Sequence, residues 1–255
     1  MTMTIKNEDE IRRMDEAGQI VALVHARIER AIAPGVSTAE LDAIARETLD
    51  ESGAVSSFLG YHGFPAHICA SVNDEIVHGI PGNRRLREGD VVSIDVGAIL
   101  AGYHGDSAWT YGVGQVSQEA AALLRDTEEA LYLAVDQAMS GNRLGAIGHA
   151  VETHAHRLGR GVVRNYGGHG IGRQMHEDPH VPNVGRPDRG VVLRTGLTLA
   201  IEPMLTLGSE DTITLSDGWT VVTDDGSLAA HFEHTVAVAP ERGRVLTRRL
   251  APVLE

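Results

Sequence analysis

Val91-Val92-Ser93-Ile94-Asp95-Val96-Gly97-Ala98-Ile99-Leu100-Ala101-Gly102-Tyr103-His104-Gly105-Asp106 reads as two strands joined by a tight turn, with an aspartate in each. Strands disfavour Asp, and an isolated ionised carboxylate in an apolar interior must be paired, protonated or bound to a cation. With Leu100 and Ala101 straddling the turn, positions 95 and 106 lie opposite one another. Cross-strand partners project from one face with Cβ atoms about 4.5–5.5 Å apart, so both carboxylates reach a common point.

The same anomaly recurs downstream. Leu197-Thr198-Leu199-Ala200-Ile201-Glu202-Pro203 is an apolar strand pattern that carries Glu202, and Glu233 stands between Phe232 and His234-Thr235-Val236-Ala237-Val238. Gly89 and Gly196 each precede a strand-borne carboxylate by six positions, a faint repeat that suggests two related halves, each contributing a ligand. Gly167-Gly168-His169-Gly170-Ile171-Gly172 adds an imidazole in a stretch whose glycines free the backbone to aim it. Two carboxylates 4 Å apart repel by about 4 kcal/mol at an effective dielectric of 20. Four sharing one pocket therefore call for cations, and two divalent ions balance them. An oxygen-rich set with one His suits Mn, Fe, Co or Zn and argues against copper or an iron–sulfur cluster.

The composition narrows the class. The 255 residues can bury a full core, and a net charge of −13 makes a nucleic-acid backbone an unsuitable direct ligand. Cys69 is the single cysteine, which excludes an internal disulfide and fits a reducing compartment. No apolar leader or bilayer-length stretch is evident, so the expectation is a cytoplasmic protein with no membrane contact.

Periodicity places a helix on Ile11, Met14, Val21, Val24, Ile28 and Ile32, ended by Pro34-Gly35, and a second from Ser37, with Glu40 completing a capping box, to near Gly53. Two more follow Ser117 and Asn142, and strand-like segments cover 64–78, 90–111, 162–169, 197–207 and 219–239. Without a βαβ rhythm or a linker, this reads as one α+β domain over residues 1–255. His25, His149, His154 and His156 fall on helices as surface groups, and the mixed charges of 117–139 mark a solvated face. The glycine run lacks the Lys-Ser/Thr of a phosphate loop, so nucleotide binding is discounted. His78, in Val77-His78-Gly79-Ile80-Pro81, and His176, seven residues after His169, are further candidates beside the metals. His176 is placed to donate to a substrate carbonyl or oxyanion.

The blocks Gly60-Tyr61-His62-Gly63-Phe64-Pro65, Ser71 through Pro81, Ile94-Asp95-Val96, Tyr103-His104-Gly105-Asp106, Gly168-His169-Gly170-Ile171-Gly172, His176-Glu177, Ile201-Glu202-Pro203-Met204 and Glu233-His234-Thr235 together make the chain resemble the type I methionine aminopeptidase family. The resemblance runs over almost the whole length and implies the pita-bread fold, a pseudo-twofold antiparallel sheet core with helices outside. It also implies that Asp95, Asp106, His169, Glu202 and Glu233 hold two divalent ions, that Glu202 moves the proton, and that His78 and His176 contact the substrate. Hydroxide generated at the metals would attack the first peptide bond of a nascent protein, after deformylation and when the second residue is small. Tyr61, Phe64, Cys69 and Trp219, with Phe58 nearby, would form the methionine pocket. Met175 departs from the Phe that many relatives carry and would widen that pocket slightly. Nascent N-termini, met at the ribosome, would be the partners of a monomeric enzyme. The roughly thirty residues between His169 and Glu202 leave no room for the helical insertion of type II enzymes, and the chain starts at its first helix without the extra domain of X-Pro aminopeptidases. A proline-directed exopeptidase and a catalytically silent binding protein of the same fold are the alternatives. The second would be expected to have lost ligands that this chain keeps.

Overall fold

Helix α1 (Glu8–Ala31) starts at Asn7, whose side chain accepts from the Glu10 backbone N–H while the Glu10 carboxylate accepts from the Asn7 N–H. In the computed structural model, which describes residues 3–250, Ser37 and Glu40 repeat this capping box at α2 (Thr38–Glu51). Ile11, Met14, Val21, Val24 and Ile28 form the buried face of α1, as their spacing predicts.

Helix α1 packs on a sheet built from β1 (Val55–Ser56), β2 (Ile68–Val72), β4 (Val91–Leu100) and β5 (Tyr103–Gly112); the short β3 (Glu75–Val77) follows β2 in the chain. β4 is central, with β5 along one edge and β2 and β1 along the other. A Cβ on Gly105 of β5 would sit 2.8–2.9 Å from the backbone of Gly18 in α1, so only glycine allows helix and strand to meet this closely.

The hairpin differs from expectation by one register step. Ala101 and Gly102 are the two turn residues, with φ of 49° and 78°, and Leu100 pairs with Tyr103. Positive φ at both central positions matches the right-handed strand twist. Asp95 therefore faces Ala108 and Asp106 faces Gly97, which leaves the two aspartates as diagonal neighbours on one face.

The second half repeats the plan of two helices followed by antiparallel strands. α3 (Gln118–Gln137), capped by Ser117, and α4 (Gly145–Arg157) lead into β6 (Gly161–Val162), β7 (Gly167–Gly170), β8 (Glu177–Pro182), β9 (Thr198–Ile201), β10 (Met204–Thr206), β11 (Thr212–Thr214), β12 (Val221–Thr223), β13 (Ala229–His231), β14 (His234–Ala237) and β15 (Arg244–Val245). The main sheet runs β15-β14-β9-β7-β8, and smaller ones run β13-β10-β6 and β11-β12-β3. β1, β8, β11 and β15 lie outside the strand-like segments read from the sequence, and the long segments of the second half are broken into shorter strands.

The two halves join along a seam between β5 and residues 231–235. The Asp106 N–H donates to Thr235 Oγ1 at 2.9 Å, and Thr235 Oγ1 donates back to the Asp106 carbonyl at 2.9 Å. Ser107 Oγ donates to the Glu233 carbonyl, Thr110 Oγ1 to the His231 carbonyl, and the Glu233 N–H to the Ala108 carbonyl. Apolar side chains from both halves fill the core around this seam. Among the described residues, no helix is long and apolar enough to cross a membrane.

Three residues read as surface groups are buried. Asp126 in α3 is 3% exposed and sits between Arg125 and Arg160, which supply the charge its burial requires. His154 packs between Arg157 and Glu129. His25 is 3% exposed: its Nε2 donates to the Ser107 carbonyl at 2.9 Å, so Nδ1 accepts from the Tyr111 hydroxyl at 3.0 Å. His149 and His156 are exposed as expected.

Burial is the main reason His25 is held at about 4, with the Arg249 charge adding to it. The unfolded chain, with a His pKa near 6.5, binds more protons between those values, so stability is full above pH 6.5 and falls as pH drops toward 4. The loss from this one ring is expected to reach about 3 kcal/mol. His25→Gln should flatten the pH dependence by that amount, measured by urea unfolding at pH 7 and pH 4.5. An unchanged difference between the two pH values would assign the acid sensitivity to other groups.

Candidate active site

Asp95, Asp106, His169, Glu202 and Glu233 converge on the floor of one cavity of about 360 Å³. β4 and β5 present the two aspartates, and β7 presents His169, the cross-strand partner of Ala200 in β9. A Cβ on Gly168 would come 2.1 Å from the Ala200 carbonyl oxygen. Gly167, Gly168, Gly170 and Gly172 all keep negative φ, so these glycines serve close packing rather than the unusual backbone angles expected of them.

Glu202 and Glu233 occupy breaks in two neighbouring strands. Ile201 pairs with His234 and Met204 with His231 in the same register, which sets Glu202 opposite Glu233 and Pro203 opposite Phe232.

The floor is built for cations. Ligand atoms of Asp106, His169 and Glu233 lie within 4.8 Å of one another. One carboxylate oxygen each of Asp95, Asp106 and Glu233 is buried without a hydrogen-bond donor. His169 Nδ1 lies 2.9 Å from the Gly170 carbonyl and must donate to it, which leaves a lone pair on Nε2. That atom is 3.8 Å from Asp106 Oδ2 and 3.8 Å from Glu202 Oε1, too far for a hydrogen bond to either. A divalent ion satisfies both, and the backbone carbonyl behind the ring is the support a metal-ligating His needs.

The electrostatics agree. Burial raises Asp95 to about 7, and burial followed by the Asp95 charge raises Glu202 to about 8. Burial and then neighbouring carboxylates push Asp106 and Glu233 up as well. Burial holds His169 at about 3, with the His176 charge adding to it, so its ring is neutral and free to ligate.

The walls carry the other candidates. His176 stands beside the floor, its ring centroid 4.0 Å from that of His169, with Nδ1 2.8 Å from the Tyr61 hydroxyl. His78, with φ of 60°, enters from the end of β3, and burial holds its pKa at about 4. Phe58, Phe64, Cys69 and Met175 form a buried apolar recess, with Tyr61 and Trp219 at its edge. Trp219 meets Phe64 edge to face at 5.1 Å. Cys69 pairs with Asp95 across β2 and β4, and burial together with the nearby carboxylates raises its thiol well above the usual range. Every residue singled out from the sequence for this site lines the cavity.

His62, Tyr166 and His180 also line the cavity, and His231 lies beneath it, 2% exposed, with Nε2 3.7 Å from Glu202 Oε2. None of these is singled out in the sequence, and His231, which ends an apolar segment two residues before Glu233, carries the one signal that could have marked it.

The sequence matches the profile of metallopeptidase family M24 over residues 12–240. It is 51% identical over 243 residues to methionine aminopeptidase 1 of Bacillus subtilis, covering 95% of this chain and 98% of the relative. With methionine aminopeptidase 1 of Mycobacterium tuberculosis it shares 53% over 249 residues, covering 95% and 94%. The solved methionine aminopeptidase of Thermotoga maritima superposes with a TM-score of 0.96 at 41% identity, covering 97% of this chain and all of that one. A prolidase from Pyrococcus horikoshii shares the fold at a TM-score of 0.78 and 22% identity. The pita-bread architecture expected from the sequence is thus the observed one.

Clustered carboxylates that repel one another make a clear expectation. Asp106→Asn should raise the melting temperature of chelated protein and remove the rise that Mn or Co gives the wild type. Thermal scans with and without metal check this. A variant that melts lower than wild type in chelator would show that repulsion at the floor is not what limits the stability of the metal-free protein.

Proposed function

The chain belongs to metallopeptidase family M24 and, within it, to the methionine aminopeptidases, and on that premise we propose that it is a single catalytic domain that hydrolyses the first peptide bond of chains beginning with methionine. One observation carries the reading: an apolar recess of aromatic rings, a thiol and a thioether opens directly onto a floor of carboxylates and one imidazole. The recess suits an unbranched thioether side chain, which packs well against rings and sulfur. Its protonated thiol adds no charge.

Asp95, Asp106, His169, Glu202 and Glu233 would hold two divalent ions drawn from Mn, Fe, Co and Zn. When bound, such ions supply Lewis acidity and a hydroxide nucleophile near neutral pH. Glu202 accepts the proton of the attacking water and returns it to the leaving amine. With the Tyr61 hydroxyl donating to Nδ1, His176 carries its proton on Nε2 and offers it to the developing oxyanion. His78, on the wall near Trp219, orients the peptide.

A free α-amino nitrogen has a lone pair to offer at the ion-bearing floor and a formamide nitrogen does not, so formylated chains would be deformylated first. The proposed substrates carry a small second residue. The proposed setting is the cytoplasm, where nascent N-termini leave the ribosome and a monomer suffices, with neither membrane nor nucleic acid as a direct partner.

Thorough chelation is expected to abolish methionine release from Met-Ala-Ser, and Mn, Fe or Co to restore it. A panel of Met-X and X-Pro peptides with the metal controlled should show cleavage confined to the Met-X series. Cleavage that survives chelation, or that prefers X-Pro, would sink the reading. His176→Ala should lower kcat by roughly 10²- to 10³-fold with metal content unchanged; lost metal would instead make His176 part of the ligand set.

A further inference from the structure

Glu177 follows His176 and gathers donors from two separate parts of the chain. Its Oε1 accepts the backbone N–H groups of Arg173 at 3.0 Å and Gln174 at 3.3 Å, which folds the segment carrying Met175 and His176 around the carboxylate. Its Oε2 accepts Lys6 Nζ at 2.7 Å and the Thr4 hydroxyl. Lys6 and Glu177 side chains are only 4% and 8% exposed. Gly172 makes room for the pair, since a Cβ there would lie 2.5 Å from Lys6 Cε and 2.6 Å from Glu177 Oε1. The Lys6 backbone N–H is itself fixed on the Gly196 carbonyl at 2.8 Å, at the start of the segment leading to β9 and Glu202.

A buried ion pair is a weak source of stability, because an apolar pair of similar volume often does as well or better. What this pair supplies is geometry. We propose that Lys6 and Glu177 are positioning residues that set His176 against the substrate, locking the 172–177 segment to the segment before α1 and hence to the same frame as the floor. The ammonium fixes the carboxylate, the carboxylate fixes the two N–H groups, and the turn so formed holds the His176 ring against Tyr61 and His169. The inference rests on the aminopeptidase reading of the cleft.

The test is the double variant Lys6→Met, Glu177→Gln, which removes both charges and leaves no orphan ion, assayed on Met-Ala-Ser with metal content and melting temperature measured alongside. The expected result is a melting temperature and metal content like those of the wild type, with kcat lower by roughly 10- to 100-fold and KM much less changed. Adding His176→Ala should cost the double variant far less than it costs the wild type, because the ring is already misplaced. Wild-type kcat in the folded double variant, or a His176→Ala loss that multiplies in full, overturns the proposal. Should the double variant not fold, Lys6→Met alone, which leaves the Glu177 carboxylate on the Arg173 and Gln174 N–H groups and cuts its tie to Lys6, must show the same kcat loss and the same non-additivity; wild-type kcat there is equally fatal. An inactive wild type would count against the aminopeptidase reading, whereas an active wild type beside an equally active variant counts against this inference alone.

Discussion

Four carboxylates gathered at the floor of one cleft are the constraint around which this molecule is organised. Each half alone could leave its acids near water, but joining the halves buries Asp106 and Glu233 to 2% exposure. The seam is held largely by hydroxyl side chains, Ser107, Thr110 and Thr235, which reach across to backbone groups of the other half. The bonds of Ser107 and Thr235 fall on the main chain of Glu233 and Asp106, and those of Thr110 on His231, so the joint between halves also fixes the carboxylate-bearing backbone. Cations at the floor would therefore stabilise the join as well as the charges, a coupling of metal binding to folding.

Charge and recognition share the same strands. Cys69 and Asp95 are cross-strand partners, so the apolar recess and the ionic floor are separated by one step of the β2–β4 ladder. Burial, and after it the nearby carboxylates, push the Cys69 thiol toward its neutral form, which keeps the recess apolar beside the carboxylate floor. His176 and Met175 are likewise neighbours in one segment, one beside the carboxylate floor and the other packed in the recess. A shift of that segment would move recognition and chemistry together.

Much of this was legible because ionisable residues in apolar strands are costly wherever they occur. Asp95, Glu202 and Glu233 stand out on that ground alone, Asp106 through the hairpin that brings it to Asp95, and the Ser37 and Glu40 box marks its helix by a local rule. The hidden parts depend on tertiary partners. Asp126 looks like any helix-surface acid until Arg160 arrives from 34 residues away. His25 looks solvated until Ser107 and Tyr111 close over it. β8, Glu-Asp-Pro-His-Val-Pro, has the composition of a turn and becomes a strand because β7 offers it an edge. Neither Lys6 nor its pairing with Glu177 has any signature in a linear chain, because the two lie 171 positions apart.

The breaks at Glu202-Pro203 and Phe232-Glu233 show how a sheet can place two acids face to face at small cost. An uninterrupted ladder would require a donor at each paired position, and Pro203 has none. The bond that remains, from the Phe232 N–H to the Pro203 carbonyl, uses the acceptor that proline does have. With the ladder resumed in unchanged register on both sides, the two glutamates stay opposite one another without a bulge that would turn one aside. The proline thus sits where the lost hydrogen bond could not have formed, and the sheet passes from the β9–β14 pair to the β10–β13 pair with its acids aligned.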